Sequence, residues 1–354
     1  MRTDLWCVAS LVLLFTFSAV AQNQLGTVSN VAPIPGCPEG YFDGMQCSVA
    51  TVSCPGTDDI QVTFGFENPP GTPKGTIFFH AGAGGTAPYS GGLNASENYF
   101  TDYLSAGYQL VQMSWQTGWE DVGSLHKASI GGAACRPATL MQYIYQNVRT
   151  SGAMCAQGAS AGAAAIAYSL AWYNAASYLD KVELTSGPVF GNIEQGCVVP
   201  DAPTVTVCPS GQIGCVGDAW QDTPQYAGGY LASVRQYTQN ETCQADHQTS
   251  DSSNDAWQAE SVVQGSGDVN YSYPQTGMAA WLCSNGLNNS AAQAEYYYAN
   301  FTDPSQTAAY SVTRIDGCLG PEEVEQGRTP SGEIGFRAIV ADMTDSNLGC
   351  VLRH

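Results

Sequence analysis

Apolar and polar residues alternate along the first part of the chain in a way that predicts several strands. Residues 48–52 predict one strand, and the alternation over Ile60–Phe66 predicts a second that ends at the turn Asn68–Gly71. Gly75–His80 is a continuous apolar run, which is typical of a central strand covered on both faces. The segment Gln22–Asp59 is rich in Pro, Gly and Cys. We therefore expect it to be a region held by disulfide bonds, with the strand at residues 48–52 as its one strand.

Strands and helices then follow one another. Further strands are predicted at Tyr108–Trp115, at the apolar run that begins at Ala153, and at Lys181–Thr185, Gly277–Cys283 and Ala309–Ile315. Helices are predicted at Tyr99–Ala106, Arg136–Val148, Ser290–Phe301 and Gly332–Met343. Strands that alternate with helices indicate an α/β fold with a mostly parallel central sheet flanked by helices.

This alternation stops after Pro188. Residues 188–268 are rich in Gly, Pro, Asp, Ser and Cys, with scattered aromatic residues. A segment of this length without regular elements is usually functional. We interpret it as a disulfide-rich cap, inserted into a core formed by residues 22–187 and 269–354.

The amino terminus has the pattern of a secretory signal. Met1–Arg2 precedes an apolar run, Val8–Val20, which ends in Ala19-Val20-Ala21. The run is too short for a spanning helix and carries an A-x-A cleavage site, so residues 1–21 are predicted to be a signal peptide. A single transmembrane anchor is the alternative. We expect a secreted, extracellular protein whose mature form starts at Gln22.

Cysteines and glycosylation sequons agree with export. The chain has 13 cysteines, and one of them, Cys7, lies in the predicted signal, which leaves an even number for disulfide bonds. The spacings do not form paired C-x-x-C motifs, so a metal site is not expected. Sequons for N-glycosylation start at Asn94, Asn240, Asn270, Asn288 and Asn300.

The net charge limits the possible partners. At −20, the surface repels nucleic acid and anionic membranes, because both are bound through Lys/Arg patches. We therefore expect no nucleic-acid partner and no membrane association of the mature form. We also expect a monomer.

Residues Ala153–Asn174 combine an apolar strand, a sharp break and an alanine-rich helix. The break is Gly158-Ala159-Ser160-Ala161-Gly162, which matches the G-x-S-x-G pattern. In that pattern the serine is held in a strained turn with its hydroxyl exposed, and small neighbours are needed because strand and helix backbones nearly touch. The segment therefore indicates a nucleophile elbow centred on Ser160.

A second motif follows the predicted central strand. His80-Ala81-Gly82-Ala83-Gly84-Gly85 is similar to the HGGG-type loop that supplies oxyanion donors. This loop precedes the nucleophile elbow along the chain, in the order found in the α/β-hydrolase superfamily. By these two motifs the chain resembles that superfamily, specifically secreted serine esterases. The resemblance implies that Ser160 is the nucleophile and that no cofactor or metal is needed. It also implies that backbone N–H groups of Gly82, Ala83, Gly84 and Ala161 stabilise the oxyanion.

The general base and its acid partner depart from the family pattern. The superfamily places the acid after the next-to-last strand and the histidine after the last one, but residues 284–288 hold no carboxylate and residues 314–322 hold no histidine. A disulfide between Cys318 and Cys350 would bring the terminal His354 to the vacant position, which makes His354 the preferred base.

Other residues stay open for these two roles. His247, in the predicted cap, is the alternative base. Asp316 is the preferred acid, with Glu194 and Asp303 as alternatives. His80 is assigned to the oxyanion loop and His126 to a structural role.

The cluster Trp115, Trp119, Glu120 and Asp121 follows a predicted strand, at the end where such folds bind ligands. It indicates either a site able to stack on sugar or aryl groups or ordinary packing at the rim. We therefore expect a secreted serine hydrolase that acts on a small-molecule or glycan ester (polysaccharide acyl, aryl or short lipid). A catalytically inactive binding protein of the same fold is the alternative, and a serine peptidase is a third possibility.

Overall fold

A computed structural model describes residues 24–90, 98–121, 130–193, 260–263, 269–283, 289–315 and 330–354. The predicted signal peptide and most of the predicted cap lie outside these ranges. So do the sequon residues Asn94, Asn240 and Asn288. All of these stay predictions.

Nine strands of the described chain form one sheet. They are β1 (Thr27–Pro33), β2 (Gln46–Ser53), β3 (Ile60–Glu67), β4 (Gly75–His80), β5 (Gln109–Trp115), β6 (Ala153–Ala159), β7 (Lys181–Thr185), β8 (Tyr273–Cys283) and β9 (Thr307–Ile315). Their order across the sheet is β1-β2-β3-β5-β4-β6-β7-β8-β9. Strands β1, β2 and β3 pair antiparallel, and so do β3 and β5, whereas all later pairs are parallel. The predicted mostly parallel sheet is confirmed.

Helices cover both faces of the sheet. They are α1 (Tyr99–Ser105), α2 (Ile130–Ala133), α3 (Cys135–Asn147), α4 (Ala161–Tyr173), α5 (Asn289–Tyr298) and α6 (Pro330–Thr344), with short 3₁₀ turns at Ala175–Ser177 and Pro304–Gln306. Helices α3 and α4 pack on one face with Phe78, and α1 and α6 pack on the other face with Ile77 and Phe79. Successive residues of β4 thus point into opposite apolar layers, which is why the whole strand is buried.

The chain after α6 lies at the end of the sheet where the parallel strands begin. Cys350 is disulfide-bonded to Cys155 in β6, so the predicted Cys318–Cys350 pair is wrong. Helix α6 follows β9 and runs back along the sheet, and its 15 residues carry the chain about 22 Å from where the helix starts. Cys350 therefore emerges beside the start of β6, and Cys318 lies outside the described residues.

Two further disulfides stabilise the antiparallel part. Cys37 is bonded to Cys47, and Cys54 is bonded to Cys135 at the start of α3. Among the described residues, none of the helices combines the length and the apolar content of a membrane span. His, Cys, Asp and Glu side chains in the same part of the chain form no group of three or more that could hold a metal ion.

Candidate active site

Ser160 lies in a strained turn between β6 and α4. Its backbone has φ 52° and ψ −116°, a combination that a residue with a side chain adopts only when the surrounding structure imposes it. Its N–H donates to the Thr185 carbonyl oxygen at 2.9 Å, and its own carbonyl accepts from Ala164 N–H at 3.1 Å. These bonds fix the turn from both sides. The side chain is nearly buried, with 8% of the residue exposed.

Glycines permit this turn because backbones approach closely around it. A Cβ on Gly162 would lie 2.2 Å from the carbonyl oxygen of His80, and one on Gly158 would lie 2.7 Å from the carbonyl oxygen of Gly162. A Cβ on Gly187, after β7, would lie 2.6 Å from the Ser160 carbonyl oxygen. No ordinary Cβ contact is this short, so these positions require glycine. The geometry predicted for the elbow from Gly158 and Gly162 is present.

The loop after β4 lies directly against Ser160. Strands β4 and β6 are parallel neighbours in which His80 pairs with Gly158, so their carboxyl ends meet. A Cβ built on Gly82 would lie 3.2 Å from Cβ of Ser160. The loop turns back at once, with Gly85 N–H donating to the Gly82 carbonyl at 3.1 Å and Ala83 at φ 49°. We call residues 81–85 the oxyanion loop.

The Ser160 side chain therefore lies between the start of α4 and the oxyanion loop. Ala161 is the first residue of α4, where an N–H has no acceptor within its own helix. Gly82, Ala83 and Gly84 lie across from it in the oxyanion loop. An anionic oxygen bound here would also lie at the positive end of the α4 dipole. Of the four residues predicted as oxyanion donors, Gly82 and Ala161 are thus placed next to Ser160, and the oxyanion role of all four stays a prediction.

His80 is a neutral, buried histidine under this loop. The Trp115 indole N–H donates to its Nε2 at 3.2 Å, and its Nδ1 lies 2.9 Å from the Ala81 carbonyl oxygen. Because a carbonyl only accepts, the proton is on Nδ1. Burial lowers the pKa of His80 to about 4. Both nitrogens are engaged, so this ring supports the loop and is not available to a nucleophile.

His354 is at the wrong end of the sheet to serve as the base. Its Nε2 lies 3.3 Å from the carbonyl oxygen of Leu179, which precedes β7, whereas Ser160 is bonded to Thr185 at the far end of β7. At about 3.3 Å per residue, these points are roughly 20 Å apart. The preferred assignment of His354 is therefore wrong, because Cys350 and the hydrogen bonds of Arg353 to Asp180 hold the tail at the opposite edge.

One candidate acid is also misplaced. Asp303 precedes β9, at the amino end of the parallel strands, and its carboxylate accepts the Ser305 N–H at 2.8 Å as a helix cap. It is far from the strand ends that carry Ser160. The preferred acid Asp316, the alternative acid Glu194, the alternative base His247 and His126 all lie outside the described residues.

The segment after β5 packs beside the oxyanion loop. Trp115 and Trp119 are buried, and the Trp119 ring packs against Tyr168 and Phe190, with centroids 6.2 and 6.3 Å apart. Their rings belong to the core, which favours ordinary packing over an open stacking surface. Trp119 N–H donates to the Gly84 carbonyl at 3.0 Å. The segment thus fixes the loop from behind.

Arg136 anchors that segment, a role that the sequence did not reveal. Its guanidinium is buried and donates to the backbone carbonyls of Trp119 at 3.0 Å, Asp58 at 2.6 Å and Asp121. Arg136 stands beside Pro137 at the start of a predicted apolar helix. A single charged residue at the start of an apolar helix was the only feature of the sequence that could have indicated this role of Arg136.

The strand order, the turn at Ser160 and the loop after β4 together define the α/β-hydrolase fold. No protein-family model matches the sequence, and no curated protein matches it. Among solved structures, a bacterial heroin esterase is similar over 86% of this chain and 84% of its own, with a TM-score of 0.50 and 12% identity. A brefeldin A esterase, a bacterial homologue of human hormone-sensitive lipase, matches over 88% and 79%, with a TM-score of 0.49 and 13% identity. At such identities, the likeness to the heroin esterase shows the fold.

Proposed function

We propose that this protein is a serine hydrolase that cleaves carboxylic esters through an acyl-enzyme on Ser160. The observation that carries the proposal is the strained Ser160 turn, with Gly82 of the oxyanion loop packed against the serine Cβ. A protein maintains a positive φ at a serine only at a cost of about 1–3 kcal/mol. This strain is explained if the turn presents the Ser160 hydroxyl to the carbonyl carbon of an ester, next to the backbone N–H groups that would stabilise the oxyanion.

The reaction would follow the acyl-transfer sequence. The Ser160 hydroxyl attacks the ester carbonyl while a base accepts its proton, and negative charge develops on the carbonyl oxygen. Amides of Ala161 and the oxyanion loop stabilise that charge, and each such donor contributes about 3–4 kcal/mol. The alcohol leaves with a proton from the base, and water then hydrolyses the acyl-enzyme.

Elimination leaves two histidines as candidates for the general base. The sequence has 4 histidines, and His80 and His354 are committed to other contacts, as described above. If the base is an imidazole, it is therefore His126 or His247. Replacing the one that acts should lower kcat by about 10²–10⁴-fold, whereas replacing the other should not.

The decisive experiment combines ester hydrolysis with active-site labelling. The purified protein, Ser160→Ala and Ser169→Ala are each given short-chain p-nitrophenyl esters and a fluorophosphonate probe. Ser169 is the matched control, because it lies in the same helix with its hydroxyl bonded to the Ala165 carbonyl at 2.7 Å. We expect hydrolysis and labelling in the wild type and in Ser169→Ala, and neither in Ser160→Ala. Labelling that persists in Ser160→Ala would refute the assignment.

An inactive binding protein of the same fold is the second candidate. The observation in its favour is that neither histidine in the described part of the chain can act on Ser160. A wild type that is neither labelled nor active would support it. A serine peptidase is separated from an esterase by offering peptide and ester substrates side by side.

The finer parts of the proposal concern location and substrate. We propose a secreted protein that acts on polysaccharide acyl, aryl or short lipid esters. The signal-like amino terminus and the sequons support export, and the disulfides agree with an oxidising compartment. Comparing the secreted and intracellular fractions of an expressing cell tests the location.

A further inference from the structure

Glu120 is a buried acid immediately behind the oxyanion loop. Only 7% of the residue is exposed. A Cβ on Gly84 would lie 3.2 and 3.4 Å from its two carboxyl oxygens, and a Cβ on Gly118 would lie 2.9 and 3.0 Å from them. The carboxyl group therefore fills the narrow space between the loop and the turn at Gly118, where neither backbone carries a side chain.

The surroundings of this carboxyl group favour its neutral form. Its Oε2 is buried without a hydrogen-bond partner among the described residues. The nearby Arg136 guanidinium is bonded to backbone carbonyls and forms no ion pair with Glu120 in the described chain. His80, on the other side of Gly85, is neutral, and Asp121 is a second acid. Burial is the main cause that raises the pKa of Glu120, and Asp121 adds to it, whereas the backbone N–H of Glu120 itself and the Arg136 guanidinium lower it in part.

The carboxyl group is also close to the point where negative charge would develop. Two short contacts and the two-residue span from Gly82 to Gly84 limit its distance from the Ser160 side chain to about 17 Å. At that distance, and with an effective dielectric constant of 20, one added negative charge still slows a step that builds an oxyanion by about fivefold. Ionisation would also place a largely desolvated negative charge in the narrow space between the Gly84 and Gly118 backbones, which is unfavourable.

We propose that Glu120 is a positioning residue: its protonated carboxyl group holds the oxyanion loop in place, and its ionisation lowers ester turnover at higher pH. This inference rests on the proposed function. The other titratable or charged groups nearby, His80, Asp121 and Arg136, are unchanged in Glu120→Gln, so a change in the pH profile of that variant reports this side chain.

The test is the pH dependence of kcat/KM for wild type, Glu120→Gln and Glu67→Gln. Gln keeps the shape of the side chain but cannot ionise. Glu67 is a matched control, because it ends β3 beside the start of β5 and thus lies at the other end of the sheet. We expect kcat/KM of wild type and Glu67→Gln to fall by about fivefold or more on the alkaline side. In Glu120→Gln this fall should be absent. An alkaline fall that persists unchanged in Glu120→Gln would overturn the proposal.

A second measurement does not depend on activity. A carboxyl group with a raised pKa stabilises the fold below its unfolded pKa, and that stability is lost as the pH rises through the folded pKa. The melting temperature of Glu120→Gln should therefore exceed that of wild type increasingly from about pH 4.5 upward. An equal difference at every pH would overturn the proposal. If this signature is present but wild type lacks Ser160-dependent hydrolysis, the proposed function fails, and the role in turnover fails with it.

Discussion

The Cys155–Cys350 disulfide joins the central strand β6 to the chain after α6, across a sequence separation of 195 residues. A cross-link restricts the unfolded chain more when its loop is longer. The Cys155→Ala/Cys350→Ala double variant removes the bond without leaving a free thiol. From loop-closure entropy, we expect removal of this disulfide to lower the free energy of unfolding by at most about 5 kcal/mol.

The other two disulfides supply an internal scale. For separations of 81 residues (Cys54–Cys135) and 10 residues (Cys37–Cys47), the same relation gives about 4.5 and about 2.7 kcal/mol. Each double variant replaces two cysteines with alanine, so the chemical change is the same in all three. Differences in the free energy of unfolding between the variants therefore chiefly report loop length. We expect the losses to rank in the order of separation.

Urea unfolding of the wild type and the three double variants, followed by far-UV circular dichroism, gives the free energies of unfolding. The reasoning is refuted if the Cys37/Cys47 variant loses as much stability as the Cys155/Cys350 variant. In that case native packing around the sulfur atoms, and not the unfolded chain, would set the value of each bond.

Four further outcomes follow from the surroundings of individual residues. Gly162→Ala should destabilise the fold by about 3 kcal/mol in thermal unfolding, because the new Cβ would lie 2.2 Å from the His80 carbonyl oxygen. A normal melting temperature would contradict that close approach. Arg136→Met should cost about 2–4 kcal/mol, since buried carbonyls lose their charged donor; an unchanged urea midpoint would argue against this. In a glycosylating host, Asn270→Gln should remove one glycan by intact mass, because Asn270 is exposed. Asn300→Gln should remove none, because the Asn300 amide already donates to helix carbonyls at 2.8 and 3.2 Å; a glycan mass lost from Asn300→Gln would contradict this.

The sequence predicted those parts of the fold in which burial leaves a pattern. The uniformly apolar β4 and the small residues around Ser160 indicated buried, closely packed backbone, and the structure has both. Strand β1 was missed because nearly all of its residues are exposed, so no alternation marks it. The short helix α2 was also missed, whereas the other described strands and helices follow in the predicted order, with boundaries shifted by a few residues.

The candidate site was only partly predictable, for a physical reason. Ser160 and the oxyanion loop are each local in sequence, so a short motif indicates both. The position of His354 depends on which cysteine pairs with Cys350, and spacing does not fix that pairing. The surroundings of Glu120 likewise depend in part on Gly84, which is distant in sequence and leaves room for the carboxyl group.

Strand β1 forms one edge of the sheet and has a consequence for behaviour in concentrated solution. Its pairing with β2 shifts register between Ser29 and Ala32, and Asn30 has φ 52°. Pro33, which has no N–H, ends the strand. An edge strand that is bent and lacks one backbone N–H donor pairs poorly with a strand of another molecule. This edge of the described sheet should therefore resist edge-to-edge pairing with another molecule.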